Sequence, residues 1–421
     1  MGEWKKVKIE DLGTVVGGST PSTRNPKNYE GGTIAWITPK DLSVLSGRFI
    51  SHGERDITEI GLKSCSTKLM PAHTVLFSSR APIGYVAIAE QELCTNQGFK
   101  SIIPNSDTDF MFLYYLLKYN KNNIEHLGTG TTFKEVSGST MKKIEVKVPD
   151  LETQKKIAKI LSSIDDKIEL NQKINENLQE QAQAIYKNWF VDFAPFGGKM
   201  PSDWKESSLA DIAEFINGYS YTSNELKESK LAMATIKNFD RNGGFKIDGY
   251  KELIPTKKIK PDQYIKLFDI IVAHTDLTQK AEIAGNAEIV LSKSKYEDII
   301  CSMDIVKVKP KYNISNFLIM QFLKDSNFKT HCLKYVNGTT VLHLSKKALP
   351  EYKICLPSDL SILYPVVKIF SEYYNLIANN TLENERLADL RDTLLPRLMS
   401  GELDVSNVEL KFQSNSHLFS Y

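Results

Sequence analysis

The chain is written twice. Trp4-Lys5-x-Val7-x-Ile9-x-Asp11-Leu12-Gly13 returns 200 residues later as Trp204-Lys205-x-x-x-Leu209-x-Asp211-Ile212-Ala213. Trp36-Ile37-Thr38-x-Lys40-Asp41-Leu42 is answered by Met233-Ala234-Thr235-x-Lys237-Asn238-Phe239, and Gly130-Thr131-Thr132 by Gly338-Thr339-Thr340. The alternating Ile144-Glu145-Val146-Lys147-Val148-Pro149 matches Tyr352-Lys353-Ile354-Cys355-Leu356-Pro357. Single matches of this length arise by chance, but four in one order do not. A fold for this chain has to accommodate two like units.

Each copy runs into a long helical pattern. Ile157, Ile164, Leu178 and Ile185 share one heptad position, with Asn171 in the remaining slot. Ile160, Leu161, Ile168, Ile174, Ala182 and Trp189 fill the adjoining positions of the stripe. Five heptads of this kind predict a coiled-coil seam, and 40 residues at 1.5 Å each would reach ~60 Å. The second copy repeats the spacing with Leu363, Phe370 and Ile377. There Pro365 suits a first helical turn, Pro396 predicts a bend or a stop, and Gly401 suits the C-cap. Asn171 and Asn379 stand at matching places in the two copies, so an antiparallel pair of helices would bring them together as a register-fixing polar pair; both facing solvent or a partner subunit is the alternative.

The expected fold class is therefore two α/β (α+β) globular domains separated by two long helices that form an antiparallel coiled coil with pseudo-twofold symmetry. The first globular domain is placed at 1–150, the first helix at 151–198, the second domain at 199–358, the second helix at 359–404 and a tail at 405–421. Strands are expected at Val75-Leu76-Phe77, 84–89 and Ile270-Ile271-Val272, and short core helices at 112–117 and 317–323.

Charge follows the same division. The whole chain carries +2. Segment 152–192 has six Lys against seven acidic residues, and segment 359–404 has four Lys and Arg against eight, so the rest carries +7. Basic globular parts separated by acidic helices suit contact with a polyanion through the former. Five scattered cysteines form no CxxC pair and no zinc-ligand spacing, which predicts reduced thiols in a cytoplasmic protein. Met1-Gly2-Glu3-Trp4-Lys5-Lys6 has no apolar core of a signal peptide, and no apolar run approaches a membrane span. The chain has no Asn/Asp-Pro-Pro-aromatic loop for a target amine, no phosphate-binding G-x-x-x-x-G-K-[ST], no G-x-S-x-G and no H-E-x-x-H. A metal-nuclease trio assembled from Asp107, Glu145 and Lys147 rests only on an alternating strand. These residues predict a chain without a catalytic centre.

Several segments resemble one family as a set. They are Ser78-Ser79-Arg80-Ala81-Pro82-Ile83-Gly84, Cys94-Thr95-Asn96-Gln97-Gly98-Phe99-Lys100, Val148-Pro149-Asp150-Leu151-Glu152-x-Gln154-Lys155-Lys156-Ile157 and Ala184-Ile185-Tyr186-Lys187-Asn188-Trp189-Phe190-Val191-Asp192-Phe193. The second half adds Ala273-His274-Thr275-Asp276-Leu277-Thr278 and Leu390-Arg391-Asp392-Thr393-Leu394-Leu395-Pro396-Arg397-Leu398-x-Ser400-Gly401. The chain resembles, to about residue 404, the specificity subunits of Type I restriction-modification enzymes. The resemblance implies a non-catalytic subunit whose two target-recognition domains each read half of a bipartite, asymmetric site in double-stranded DNA. It further implies that the helical pair sets the spacer and docks two adenine-N6 methyltransferase subunits, with motor-nuclease subunits joining for restriction. S-adenosylmethionine, ATP and Mg would belong to those partners, with no cofactor in this chain.

Base edges are read by paired hydrogen bonds, from Arg or Lys to guanine and from Asn or Gln to adenine. In the first domain the candidates are Arg80, Asn96 and Gln97, with Lys40, Thr131, Thr132 and Lys134 on loops. In the second they are Lys237, His274, Thr275, Lys280, Thr339, Thr340 and His343. Asn96 and Gln97 suit a turn cap equally well, and His343 a surface position. The alternative to DNA reading is a non-enzymatic scaffold with two protein-binding modules, which would lack the steep salt dependence of phosphate contacts.

Overall fold

Val75–Ser79 is buried at every residue, as an apolar run covered on both faces should be, and it takes the centre of a five-stranded sheet. The order is Gly13–Gly17, Lys100–Pro104, Val75–Ser79, Ile83–Ala89 and Phe49–Ile50, with only the last pairing parallel. The helix Phe110–Tyr119 buries Phe112 to Leu117 without a break, and its N-cap Asp109 accepts the Phe112 N–H at 2.9 Å. The structure, a computed structural model, describes residues 4–130, 134–241, 243–278, 280–312 and 314–408.

In the second head Ile270–Ala273 lies inside a four-stranded antiparallel sheet with Ala213–Asn217, Ile305–Pro310 and Ala287–Ile289. A mixed sheet holds Lys251–Glu252, Leu231–Ala234, Asp298–Cys301 and Tyr264–Ile265, and a three-stranded ribbon holds Thr275–Asp276, Leu342–Leu344 and Val336–Asn337. The helix Asn316–Lys324 supplies Leu318 to Leu323 to the core.

The sequence matches correspond to like local structures. Lys5–Lys8 pairs antiparallel with Glu145–Val148, and Trp204–Ser208 pairs antiparallel with Lys353–Pro357. Trp36–Ile37 lies parallel to Cys94–Thr95, as Leu231–Ala234 does to Asp298–Cys301. The Thr38 N–H donates to Asp41 Oδ2 at 2.7 Å, and the Thr235 N–H to Asn238 Oδ1 at 2.8 Å. Gly18 and Gly218 pass so close to these strands that a Cβ would fall 2.1 Å from the Asn96 carbonyl oxygen and 2.0 Å from that of Ser302. Only glycine fits there.

The long helices span Leu151–Phe190 and Tyr364–Met399. The chain divides into two compact units: Met1–Glu169 with Arg386–Tyr421, and Leu170–Glu385. In the first, Ile157, Ala158 and Leu161 of one helix and Leu398 and Met399 of the other join the core around Phe112–Leu117. In the second, Ala182, Tyr186 and Phe190 meet Leu363, Val366, Phe370, Tyr374 and Ile377 around Leu318–Leu323. The helices run antiparallel there, as successive bonds step forward on one and back on the other: Asn171 Nδ2 to Asn384 Oδ1 (2.9 Å), Asn380 Nδ2 to Asn175 Oδ1 (2.8 Å), and Tyr373 Oη to Gln181 Oε1 (2.9 Å).

Three expectations need correction. Asn171 meets Asn384 and Glu383, not Asn379, which is exposed. Ile174 is 40% exposed, off the buried face. The second helix continues through Pro396 to Met399 before Gly401 turns it at φ +78°. Pro396 lies within the final turn, where few bonds remain to be broken. Pro365 sits in the first turn as expected. All five cysteines are unpaired, and among the described residues no helix is long and apolar enough to cross a membrane.

Candidate nucleic-acid interface

Three segments of the first head converge. The first is the turn after Val75–Ser79, where Ser78 Oγ accepts the Tyr85 N–H and donates to the Pro82 carbonyl, both at 2.8 Å. The second is Asn96-Gln97-Gly98, tied to the first by the Ser79 N–H on the Gly98 carbonyl at 2.7 Å. The third is 134–136, where Glu135 pairs its backbone with Thr129 in both directions and the Val136 N–H reaches the Ser79 carbonyl at 3.0 Å. The Glu135 carboxylate receives Lys100 Nζ at 3.2 Å and Arg80 Nη1 at 3.4 Å. Arg80, Asn96, Gln97 and Lys134 are thereby brought onto neighbouring loops. Asn96 Oδ1 accepts the Gly98 N–H at 2.8 Å, which makes it a turn cap in this conformation, while Gln97 Oε1 accepts from the Thr20 hydroxyl. Lys40 is exposed and 2.6 Å from Glu54, and the adjacent Pro39 ring backs directly onto Gly98. Thr131 and Thr132 lie outside the described residues.

In the second head the ribbon gathers most of the candidates. Thr275 pairs with His343 across it, and Thr339 and Thr340 are exposed in the turn that Gly338, at φ +118°, makes possible. Thr275 is buried, with its hydroxyl donated to Asp304 Oδ1 at 3.3 Å, whereas His343 and Lys280 are exposed. His274 faces a cavity of about 180 Å³ lined also by Phe215, Asn217 and Lys346. Burial holds its pKa below the usual histidine value, and His343 and Lys346 push it the same way. Asp276 shapes the loop that follows: it accepts the N–H groups of Thr278 (2.7 Å), Ile283 (2.5 Å) and Ala284 (3.0 Å). Burial would raise its pKa, but these three donors outweigh burial and lower it. Lys237 is exposed on the separate turn Ile236–Asn238, backed against Gly249.

Sequence reasoning missed Glu135, Lys100 and Lys346. Lys100 stood inside a quoted motif and Lys346 two residues beyond Leu344, but their neighbours are set by sheet topology. Of the trio Asp107, Glu145 and Lys147, the Glu145 carboxylate is bound to Lys6 at 2.5 Å. Among the described residues no group of three or more His, Cys, Asp or Glu could hold a metal ion.

The two heads thus present different polar sets on closed backbone turns: Arg, Asn, Gln and Lys on one, and His, Thr and Lys on the other. The specificity subunit of the Type I restriction enzyme MjaIX of Methanocaldococcus jannaschii is 34% identical over 96% of this chain and 95% of its own length. The HindI specificity subunit of Haemophilus influenzae is 24% identical over 96% of this chain and all of that protein. The crystal structure of a Type I restriction-modification S subunit from M. genitalium shares the fold with a TM-score of 0.54, at 19% identity over 94% of this chain and 96% of that one. The Type I restriction modification DNA specificity domain matches twice, at residues 1–180 and 201–389, and the chain belongs to that family.

Proposed function

We propose that this chain is the sequence-reading component of a Type I restriction-modification enzyme, acting on double-stranded DNA in the cytoplasm. Each head reads one half of a bipartite, asymmetric site. The long helices, paired as an antiparallel coiled coil between duplicated halves, set the spacer. They also dock two adenine-N6 methyltransferase subunits, and motor-nuclease subunits complete the restriction enzyme. The chain contributes no chemistry of its own. S-adenosylmethionine, ATP and Mg belong to the partners, whose methyltransferases take the adenine out of the stack.

One observation carries this reading: the polar loops of each head converge, and the two sets differ, Arg80, Asn96, Gln97 and Lys134 against His274, Lys280, Thr339, Thr340 and His343. Unlike sets on like scaffolds suit unlike half-sites. The bonds from Asn171 to Asn384 and Asn380 to Asn175 support the coiled coil, and the matched strand pairs support the duplication.

Sequencing the methylome of cells that carry this chain with its methyltransferase tests the proposal. Adenine methylation in a split, asymmetric motif is expected; methylation unchanged by adding the chain would overturn it. Affinity that falls steeply with added salt is also expected, and a salt-independent affinity would favour a protein-binding scaffold instead.

A further inference from the structure

The first head is fastened to both long helices by charge. Arg48 precedes the edge strand Phe49–Ile50, and its carbonyl accepts the Ile88 N–H at 2.8 Å, so its backbone is part of the sheet. Its side chain is 5% exposed, yet it carries a full charge into the seam with the first helix. There Nε donates to Glu169 Oε1 at 2.8 Å, Nη2 reaches Asp166, and the Arg48 N–H also meets Glu169 at 3.1 Å. On the residue next to Asp166 a second set forms. Tyr115 Oη, from the buried helix of the head, donates to Asp165 Oδ2 at 2.6 Å, while Arg391 Nη1 of the second helix donates to Asp165 Oδ1 at 2.8 Å. Head, first helix and second helix meet on one buried carboxylate.

At the corresponding turn the second head is fastened by neutral groups, while about three turns farther along Ser292 Oγ donates to Glu385 Oε2 of the second helix at 3.0 Å. Burial of Ile157, Leu161 and Asp165 recurs at Val366, Phe370 and Tyr374, an offset of 209 that also relates Asn171 to Asn380 and Asn175 to Asn384. Tyr374 therefore stands where Asp165 does. Gln321 of the head's core helix donates to Tyr374 Oη at 3.2 Å, and Gln183 of the first helix donates to Gln321 Oε1 at 2.7 Å. The same offset puts Asn375 and Ala378 in place of Asp166 and Glu169.

We propose that Arg48, Asp165 and Arg391 are positioning residues that hold the first head on the long helices through an ionic joint, where the second head uses a neutral one at the matching turn. The proposal rests on the reading that each head addresses one half-site. The Arg48 guanidinium is buried although Asp166 reaches solvent, and a buried cation without its carboxylate is strongly disfavoured. The joint consequently fixes one angle of the first head rather than a range. Base-reading loops are untouched by it, so breaking it should alter where the first head sits without altering which bases it prefers.

The test uses the full chain assembled with its methyltransferase, on DNA that carries the split site with spacers from three base pairs shorter to three longer. Methylation is read separately at each half-site. In Arg48→Met, methylation at the first half-site is expected to fall about tenfold or more at the native spacer, as misplacement of reacting groups by an ångström does. The second half-site should change less than twofold, and base preferences at both should be retained. Asp166→Asn removes a partner that is itself 57% exposed; it should give the same asymmetry at smaller size, and Arg48→Lys should restore part of the loss. Equal losses at both half-sites, or none at either, would overturn the joint. A wild-type complex that methylates no split site overturns the functional reading as well, whereas normal wild-type methylation with an indifferent Arg48→Met removes the joint alone.

Discussion

His274 links two questions at the scale of a single residue, what holds the second head together and what it presents. Its pKa is pushed down by burial, with His343 and Lys346 adding repulsion. The unfolded chain therefore takes up this proton at a higher pH than the folded one, near the ordinary value of about 6.5. Stability from a neutral His274 is complete above that value and declines as pH falls through it. Between pH 7.5 and 5.5 the melting temperature of the wild type should drop more than that of His274→Gln, and parallel curves would show that His274 is not the group responsible. The first head invites a different comparison. Lys134→Ala should weaken binding to all sequences alike and reduce the salt slope by about one, as loss of a phosphate contact does. Arg80→Ala should relax preference at one base pair, worth about 1–3 kcal/mol. Binding isotherms on randomised half-sites separate the two, and uniform loss for Arg80→Ala would move that residue to the phosphate class. The candidate side chains were legible as residue types in loop-like stretches. Their neighbours were not: Glu135 reaches Arg80 across 55 positions, and no local pattern encodes a pairing set by the order of strands.

Elements were far more legible than contacts, because periodicity is local. The runs 75–77, 270–272, 112–117 and 317–323 appear as Val75–Ser79, Ile270–Ala273, Phe110–Tyr119 and Asn316–Lys324. The misassigned asparagine shows where such reasoning stops. Repeat offsets vary along the chain, and on a helix with 3.6 residues per turn an error of one position swings a side chain by about 100°. That swing separates exposed Asn379 from Asn380, bonded to Asn175. The expected register role can now be tested on the right partners. Asn171 is 1% exposed; its amide donates to Glu383 (2.8 Å) and Asn384 (2.9 Å), while its own Oδ1 has no hydrogen-bond partner among the described residues. Asn171→Leu strips a donor from two acceptors in the seam and should cost about 1–3 kcal/mol in denaturant unfolding. Asn171→Leu with Asn384→Leu should recover part of that, since one acceptor is replaced together with its donor while Glu383 still loses the Asn171 amide. If the double variant were the less stable of the two, the bond would matter for more than satisfying its own polar atoms.

For the whole molecule, the same polar stretch of the helices offers the most direct test of the proposed spacer. The apolar cores take Ile157, Ala158 and Leu161 on one side and Ala182, Tyr186 and Phe190 on the other. Between them the first helix offers mostly polar residues, and the matching part of the second holds Asn380, Glu383 and Asn384. Removing residues 170–176 together with 379–385 deletes one heptad from each helix. It keeps the antiparallel register of what remains, spares Arg48, Asp165, Glu169 and Arg391, and takes out both Asn–Asn bonds as complete pairs. Seven residues at 1.5 Å shorten a helix by about 10 Å, roughly three base pairs at 3.4 Å each. If the helices measure the distance between half-sites, the shortened chain with its methyltransferase should prefer a spacer about three base pairs shorter, with the same bases at both ends, because neither head has changed. Methylation mapped on a spacer library gives the answer directly. A preferred spacer that stays at its original length in the folded deletion variant would mean that something other than these helices, such as a partner subunit, sets the distance.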